Sequence, residues 1–254
     1  MPASITEILE DVDRLLGCGR FQDYGPNGLQ VPGPSEVSAV ASGVSAHAEL
    51  FELAAAEGVQ LLMVHHGLFW GDGFRTVDPP LKVRLKLLFD AEIALVADHL
   101  PLDAHLEIGN NAQIARALGS RELGRFAHHQ GEPIGILASF PGDGLPAGEL
   151  FERVRQATQH DTLVFDSGPA RVRRLAIVSG AGSDFVPEAA AVGADAFLTG
   201  EPAERAMGLA RESRLHFIAA GHYATETFGI RRLGEHVAER FGLRHVFLDV
   251  PNPV

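Results

Sequence analysis

Cysteine is nearly missing from this chain. Cys18 is the single cysteine in 254 residues, so an internal disulfide is impossible and a thiolate metal cluster is excluded. That usage suits a reducing compartment, and a cytoplasmic location is the expectation. Long apolar runs are missing as well. No stretch reaches about 18 uninterrupted apolar residues, the length a membrane-spanning helix needs, so no membrane contact is expected. Residues 1–16 alternate acids with apolar positions and lack a basic segment followed by an apolar one. They read as a helix, not a signal peptide. Basic charge is the third deficit. Lys and Arg number 21 against 33 Asp and Glu, a net charge of -12. Such a surface repels phosphate backbones and argues against general nucleic-acid binding. A small anionic substrate stays compatible, because a bound cation reverses the local sign.

What remains is an ordinary globular balance, 46% hydrophobic and 21% charged. The length suffices for one large domain or two lobes.

Two segments resemble each other. Val37 to His66 and Val172 to Glu201 each begin with a short apolar run that ends in Ser-Gly (Ser42-Gly43, Ser179-Gly180). Each continues into an Ala-rich helical pattern, a glycine where a helix stops (Gly58, Gly193), and a second apolar run. A further helix pattern follows each copy (Leu81 to Phe89; Ala203 to Arg211), then a third apolar run (Ile93 to Ala97; His216 to Ala220). Aligning Gly58 on Gly193 places His66 on Glu201. The first copy carries an extra loop, Gly67 to Pro80. The pattern predicts a duplicated β-α-β-α-β unit. The expected fold class is α/β, with two pseudo-symmetric α/β lobes, mainly parallel sheets, and a metal site between the lobes at the carboxyl ends of the strands. The expected division is 1–127 for the first lobe and 128–254 for the second. Between the copies, a strand over 134–140, a helix over 146–158 and a strand over 162–165 are assigned to the second lobe.

The ends of these apolar runs carry the chemistry. Leu61-Leu62-Met63-Val64 leads into His65-His66, and His99 precedes Asp103 by four residues, as His222 precedes Glu226. Imidazole and carboxylate form the ligand set of Zn, Fe, Mn or Co sites. The grouping points to a site for two metals built from three distant segments. Each element also has a plainer reading. His65-His66 can cap a buried strand, and adjacent strand residues point to opposite faces unless the backbone turns at Gly67. Pro101 disfavours helix at Leu100, so residues 99–103 read as a loop. There Asp103 is either a ligand or the cap of the next helix, with His99 beside the ligands or facing substrate. His222 and Glu226 share a face if the segment is helical, ready to bind one ion or simply exposed. His128-His129 reads as a solvated loop. Gly180-Ala-Gly182 is only a fragment of a phosphate loop, and Ser45 lacks the elbow of a nucleophile. Asn27, Gln30 and Arg75 are plausible polar substrate contacts, although Asn27-Gly28 is first of all a turn.

Six segments are recognisable together: residues 24–31 (YGPNGLQV), His65-His66-Gly67, residues 99–103 (HLPLD), Gly109-Asn110-Asn111, Thr199-Gly200-Glu201 and residues 221–226 (GHYATE). In this order and spacing they resemble the GTP cyclohydrolase 1 type 2 homologue family, in its short bacterial form, from about residue 5 to the terminal Pro-Asn-Pro. The resemblance implies metal ligation by His65, His66, Asp103, His222 and Glu226, with two divalent ions per subunit. It also implies two-lobed subunits in a homohexameric ring with the metals facing its interior. Some members are similar in activity to enzymes that open the guanine imidazole ring of GTP.

The mechanism expected of such a site is metal-assisted hydrolysis, in which two ions lower the pKa of a shared water and present it to an electrophilic carbon. Asp103 or Glu226 would bridge the ions. His99 or Glu201 would act as general acid or base, or support the ligands from behind. A metal-dependent nucleotide phosphoesterase and a non-catalytic ring that stores metal are the alternatives.

Overall fold

The computed structural model describes residues 2–71 and 76–254. Its principal strands are β1 (Gly28–Val31), β2 (Ala39–Ser45), β3 (Leu61–His66), β4 (Ala94–Ala97), β5 (Arg121–His129) and β6 (Glu132–Ser139). They continue as β7 (Leu163–Phe165), β8 (Arg174–Ile177), β9 (Ala196–Thr199), β10 (His216–Ala219) and β11 (Arg244–Phe247). The helices are α1 (Ile5–Leu16), α2 (Ala48–Glu57), α3 (Pro79–Asp90), α4 (Leu100–Asp103) and α5 (Asn110–Ala117), then α6 (Ala147–Thr158), α7 (Val186–Ala191), α8 (Ala206–Ser213) and α9 (His222–Phe241). Among the described residues no helix is long and apolar enough to cross a membrane.

The chain divides into two compact units. The first comprises the residues up to Leu102 together with Ile230–Val250, and the second comprises Asp103–Gly229 with Pro251–Val254.

The first unit is built on a five-stranded sheet in the order β11-β2-β3-β4-β1. The first four strands are parallel, and β1 runs antiparallel to β4. Strand β3 is a continuous apolar run because both of its faces are covered, and Leu61 to Val64 are all buried. Helix α2 packs Leu50, Phe51 and Ala54 into this core and stops at Gly58, whose φ of 63° is the left-handed cap glycine supplies most cheaply. Helix α3 starts where Asp78 accepts a hydrogen bond from Leu81 N, with Pro79 in the first turn.

The second unit carries a six-stranded sheet in the order β7-β10-β9-β8-β6-β5. Its centre, β8-β9-β10, is parallel as expected, whereas β7, β6 and β5 join antiparallel. Leu175, Ile177, Leu198 and Ile218 are buried in one core with α5 and α6 residues such as Ile114, Leu150 and Val154. Each unit thus contains a β-α-β-α-β run of three parallel strands, β2 to β4 in one and β8 to β10 in the other.

The boundary between the units differs from a single crossing near residue 127. Residues 103–127 belong to the second unit because Ala112, Ile114, Ala115 and Leu118 sit in its core. The chain returns to the first unit within α9, because β11 hydrogen-bonds β2. Asp103 therefore lies in the second unit, not the first. Residues 100–103 are a short helix instead of a loop; Pro101 sits in the first turn, where a missing N–H leaves no intrahelical bond unmade. His128-His129 ends strand β5, and Gln130-Gly131, both at positive φ, makes the tight hairpin to β6.

Candidate metal centre

In the first unit β3 delivers His65 and His66, and the turn after β4 delivers His99. Their rings gather closely: centroids lie 4.8 Å apart for His65 and His66, 4.9 Å for His65 and His99, and 5.5 Å for His66 and His99. A ligand atom from each lies within 4.8 Å of the others, the span of a site for one or two ions.

Each ring is also held from behind through Nδ1. His65, fully buried, donates its Nδ1 proton to the Asp98 carbonyl at 3.0 Å. His66 Nδ1 lies 3.0 Å from Ser45 Oγ. His99 Nδ1 lies 2.7 Å from Asp23 Oδ1. At His65 and His99 an acceptor on Nδ1 fixes the tautomer and leaves Nε2 as the coordinating atom, the arrangement usual behind metal-bound histidines. The donor set and its backing therefore fit a divalent metal.

Asp23 organises the His99 turn. Its carboxylate also accepts from Leu100 N at 2.8 Å and from Asn27 Nδ2 at 3.0 Å. Burial alone would raise the Asp23 carboxyl, but hydrogen bonds and charge from His99, with Asn27 and Leu100, outweigh it and hold the pKa below the usual carboxylate value. Asn27 Oδ1 accepts from His99 N at 2.8 Å, and Gln30 joins Leu68 N to the Pro26 carbonyl. Both amides are thus engaged within the protein, Asn27 by His99 N and the Asp23 carboxylate and Gln30 by the backbone. Arg75 lies outside the described residues.

Asp98 is a second buried acid in this unit. Burial pushes its pKa from the ordinary 3.8 up to about 6, against the opposing pull of Cys18, the His65 charge and Gly28 N. The sign follows directly. The folded state holds its proton more tightly than the unfolded chain, so stability is lost as pH rises from about 4 through 6, by ~3 kcal/mol at neutral pH. Asp98→Asn is expected to raise Tm by at least ~4 °C at pH 7.5. The advantage should vanish near pH 4. Thermal melts across that range check this, and a variant no more stable than its parent at pH 7.5 would refute it.

In the second unit Gly221, at φ 88°, turns the chain from β10 into α9, whose first residue is His222. Glu226 follows one turn later on the same face, and its Oε2 lies 3.1 Å from His222 Nε2. Glu201, just beyond β9, reaches His222 Nδ1 at 2.5 Å. Its position is set by the Gly180 carbonyl, which accepts from Gly200 N at 2.8 Å and Glu201 N at 3.0 Å. Burial would lower the His222 pKa, but the hydrogen bonds and charges of Glu226 and then Glu201 raise it to about 9. An incoming cation must therefore displace a proton from this imidazole.

Asp103 is buried in the same unit. Its Oδ1 accepts from Asn110 Nδ2 at 2.8 Å and Ser179 Oγ at 2.9 Å. Asn110 in turn accepts from Gly229 N, and Asn111 Oδ1 accepts from Ser179 N. Asp103 does not cap α5; the first residue of that helix reaches back to hold it.

The structure thus groups His65, His66 and His99 in one unit and Glu201, His222 and Glu226 in the other. The sequence reading missed Asp23, Ser45 and the Asp98 carbonyl, the groups that hold the three rings. Asp23 immediately precedes a recognisable segment, and that adjacency was the one available signal. Gly180, set aside above as only a fragment of a phosphate loop, has a role at the site. It sits at φ 63° where a Cβ would overlap Glu226 Oε1 and lie 3.2 Å from His222 Nε2. It makes room for the site's own side chains instead of cradling phosphate.

Fold and donor sets together define an α/β protein with residues able to hold metal ions. Residues 3–253 match the model of the Duf34/NIF3 (NGG1p interacting factor 3) family, and the chain belongs to that family. A Pseudomonas aeruginosa protein named GTP cyclohydrolase 1 type 2 homolog is 40% identical over 253 residues, covering 100% of each chain. The Escherichia coli K12 protein of the same name is 40% identical, covering 98% of each. Among solved structures, one titled protein ybgI, of unknown function, matches with TM-score 0.93 and 39% identity, over 99% of this chain and 100% of that one. TTHA1606 from Thermus thermophilus matches with TM-score 0.89 and 40% identity over the same shares.

Proposed function

We propose that this protein is a metal-dependent hydrolase acting on a small, nucleotide-like substrate, with GTP ring opening as the reaction to test first. The observation that carries the reading is the backing of the histidines. His65 in one unit and His222 in the other each have Nδ1 engaged by a carbonyl or carboxylate, which leaves Nε2 for coordination. The names of the 40%-identical relatives support the same reaction class.

In this reading His65, His66, Asp103, His222 and Glu226 hold two divalent ions. The ions supply Lewis acidity and an activated water at neutral pH. The chain's own residues do the rest. Asn110 and Ser179 aim the Asp103 carboxylate. Glu201 fixes the His222 ring and so acts as a positioning residue more than as an acid or base. His99, with Asp23 on Nδ1, holds or releases a proton at Nε2 beside the ligands. A cytoplasmic homohexamer belongs to the same proposal, on the strength of the single cysteine and the family resemblance.

The test is elemental analysis of purified protein with a GTP assay that separates ring-opened product from released phosphate. About two ions per chain with ring-opened product is the expected result. Phosphate release would replace the reaction with phosphoester hydrolysis. Metal without turnover on a nucleotide panel would favour storage, and no metal after reconstitution would defeat the proposal.

A further inference from the structure

A cavity of about 650 Å³ opens in the first unit, lined by Asp23, Tyr24, Gly25, Pro26, Trp70 and Gly71. That volume suits a small organic ligand. Among the described residues its one charged side chain, Asp23, is engaged by His99, Leu100 and Asn27. What the cavity offers a ligand is aromatic surface. Tyr24 is 54% exposed and Trp70 39% exposed.

These rings are fixed beside the histidines. The Trp70 centroid lies 5.1 Å from His99 and 5.7 Å from His66, and Tyr24 lies 6.0 Å from His99. Trp70 Nε1 donates to the Gly67 carbonyl at 3.0 Å, so the indole orientation is set and its one polar atom is satisfied. The two walls are tied together by Gly71 N donating to the Tyr24 carbonyl at 2.5 Å. Gly25 lets them close, since a Cβ there would overlap the Phe69 carbonyl oxygen. Among the described residues the cavity's one charged side chain is engaged, and two aromatic rings beside it recognise a flat π surface by stacking.

We infer that Tyr24 and Trp70 form a stacking platform that takes the planar heteroaromatic ring of the substrate and presents it to the His65–His66–His99 cluster. This deepens the proposed function and rests on it for the word substrate. The sugar and phosphates of a nucleotide would contribute little to binding at this platform, and the ring most of it.

Trp70 is the single tryptophan, so its fluorescence reports on the platform without any need for turnover. Titration of the intact protein with guanosine, excited at the red edge of indole absorption, should give saturable quenching. Ribose 5-phosphate should give none. Trp70→Leu should raise the guanosine Kd, measured by calorimetry, at least ~10-fold, and Trp70→Phe should stay within ~3-fold of the parent. Tyr24→Leu, which keeps the reporter, should weaken the quenching by a similar factor and serves if Trp70→Leu fails to fold. Absence of quenching by guanosine, or equal quenching by ribose 5-phosphate, overturns the platform. Saturable quenching in a protein that holds no metal would retain the platform while removing the hydrolase.

Discussion

Glu226→Ala is expected to cut bound metal from about two ions per chain to one or fewer and to reduce hydrolysis at least ~100-fold. Glu226 is only 2% exposed and lies against His222 Nε2, in the position the proposed ligand set requires. Alanine is the best helix former, so α9 should persist. The His222 imidazole would keep Glu201 but lose the acid that contributes most to its raised pKa. Glu226→Gln keeps the volume and removes the charge, and should lose metal nearly as completely. Metal analysis on dialysed protein, with circular dichroism to verify the fold, decides the matter. Metal content unchanged in Glu226→Ala would remove this residue from the ligand set.

Gly180→Ala should be a damaging single-methyl change near the site. Two costs add. A residue with Cβ at φ 63° costs about 1 kcal/mol in backbone strain. The new methyl also overlaps the Glu226 carboxylate, which is 2% exposed and must shift to admit it. Together ~2–4 kcal/mol is expected, a fall in Tm of roughly 5–12 °C, with weakened metal binding. Gly58→Ala supplies the control. It has the same φ of 63°, but no atom lies within 4 Å of its Cβ position. It should lose only the backbone part. If the two variants melt together, the overlap at Gly180 has no consequence and its role in shaping the site falls.

Much of this arrangement was readable in the amino-acid order because it is local. Apolar runs bounded by Gly58 and Gly193 announced the parallel strands and their helices, and His222 with Glu226 declared a shared helix face. The antiparallel additions were harder. Strand β5 carries Arg121, Glu122 and Arg125, and its polar pattern hides the pairing with β6. The supports of the site were hardest, since Asp23 meets His99 from 76 positions away and Ser179 meets Asp103 from the same separation. No periodicity encodes such a contact. Asn27 and Gln30 show the reverse error: polar residues near a site invite a substrate role, yet their amides complete the backbone that holds His99 and Leu68.

The first unit is interrupted in sequence by nearly all of the second, and this orders events during synthesis. Asp103–Gly229 is synthesised in full while the sheet that carries His65 and His66 still lacks its edge strand. That strand, Arg244–Phe247, must then pair in parallel with Ala39–Ser45, a partner made some two hundred residues earlier. Such distant parallel pairing is slow to form. Until it does, the Ala39–Ser45 edge stands open to other chains in the cell. A nascent chain that ends before residue 244 would therefore carry a first-unit sheet without its edge strand.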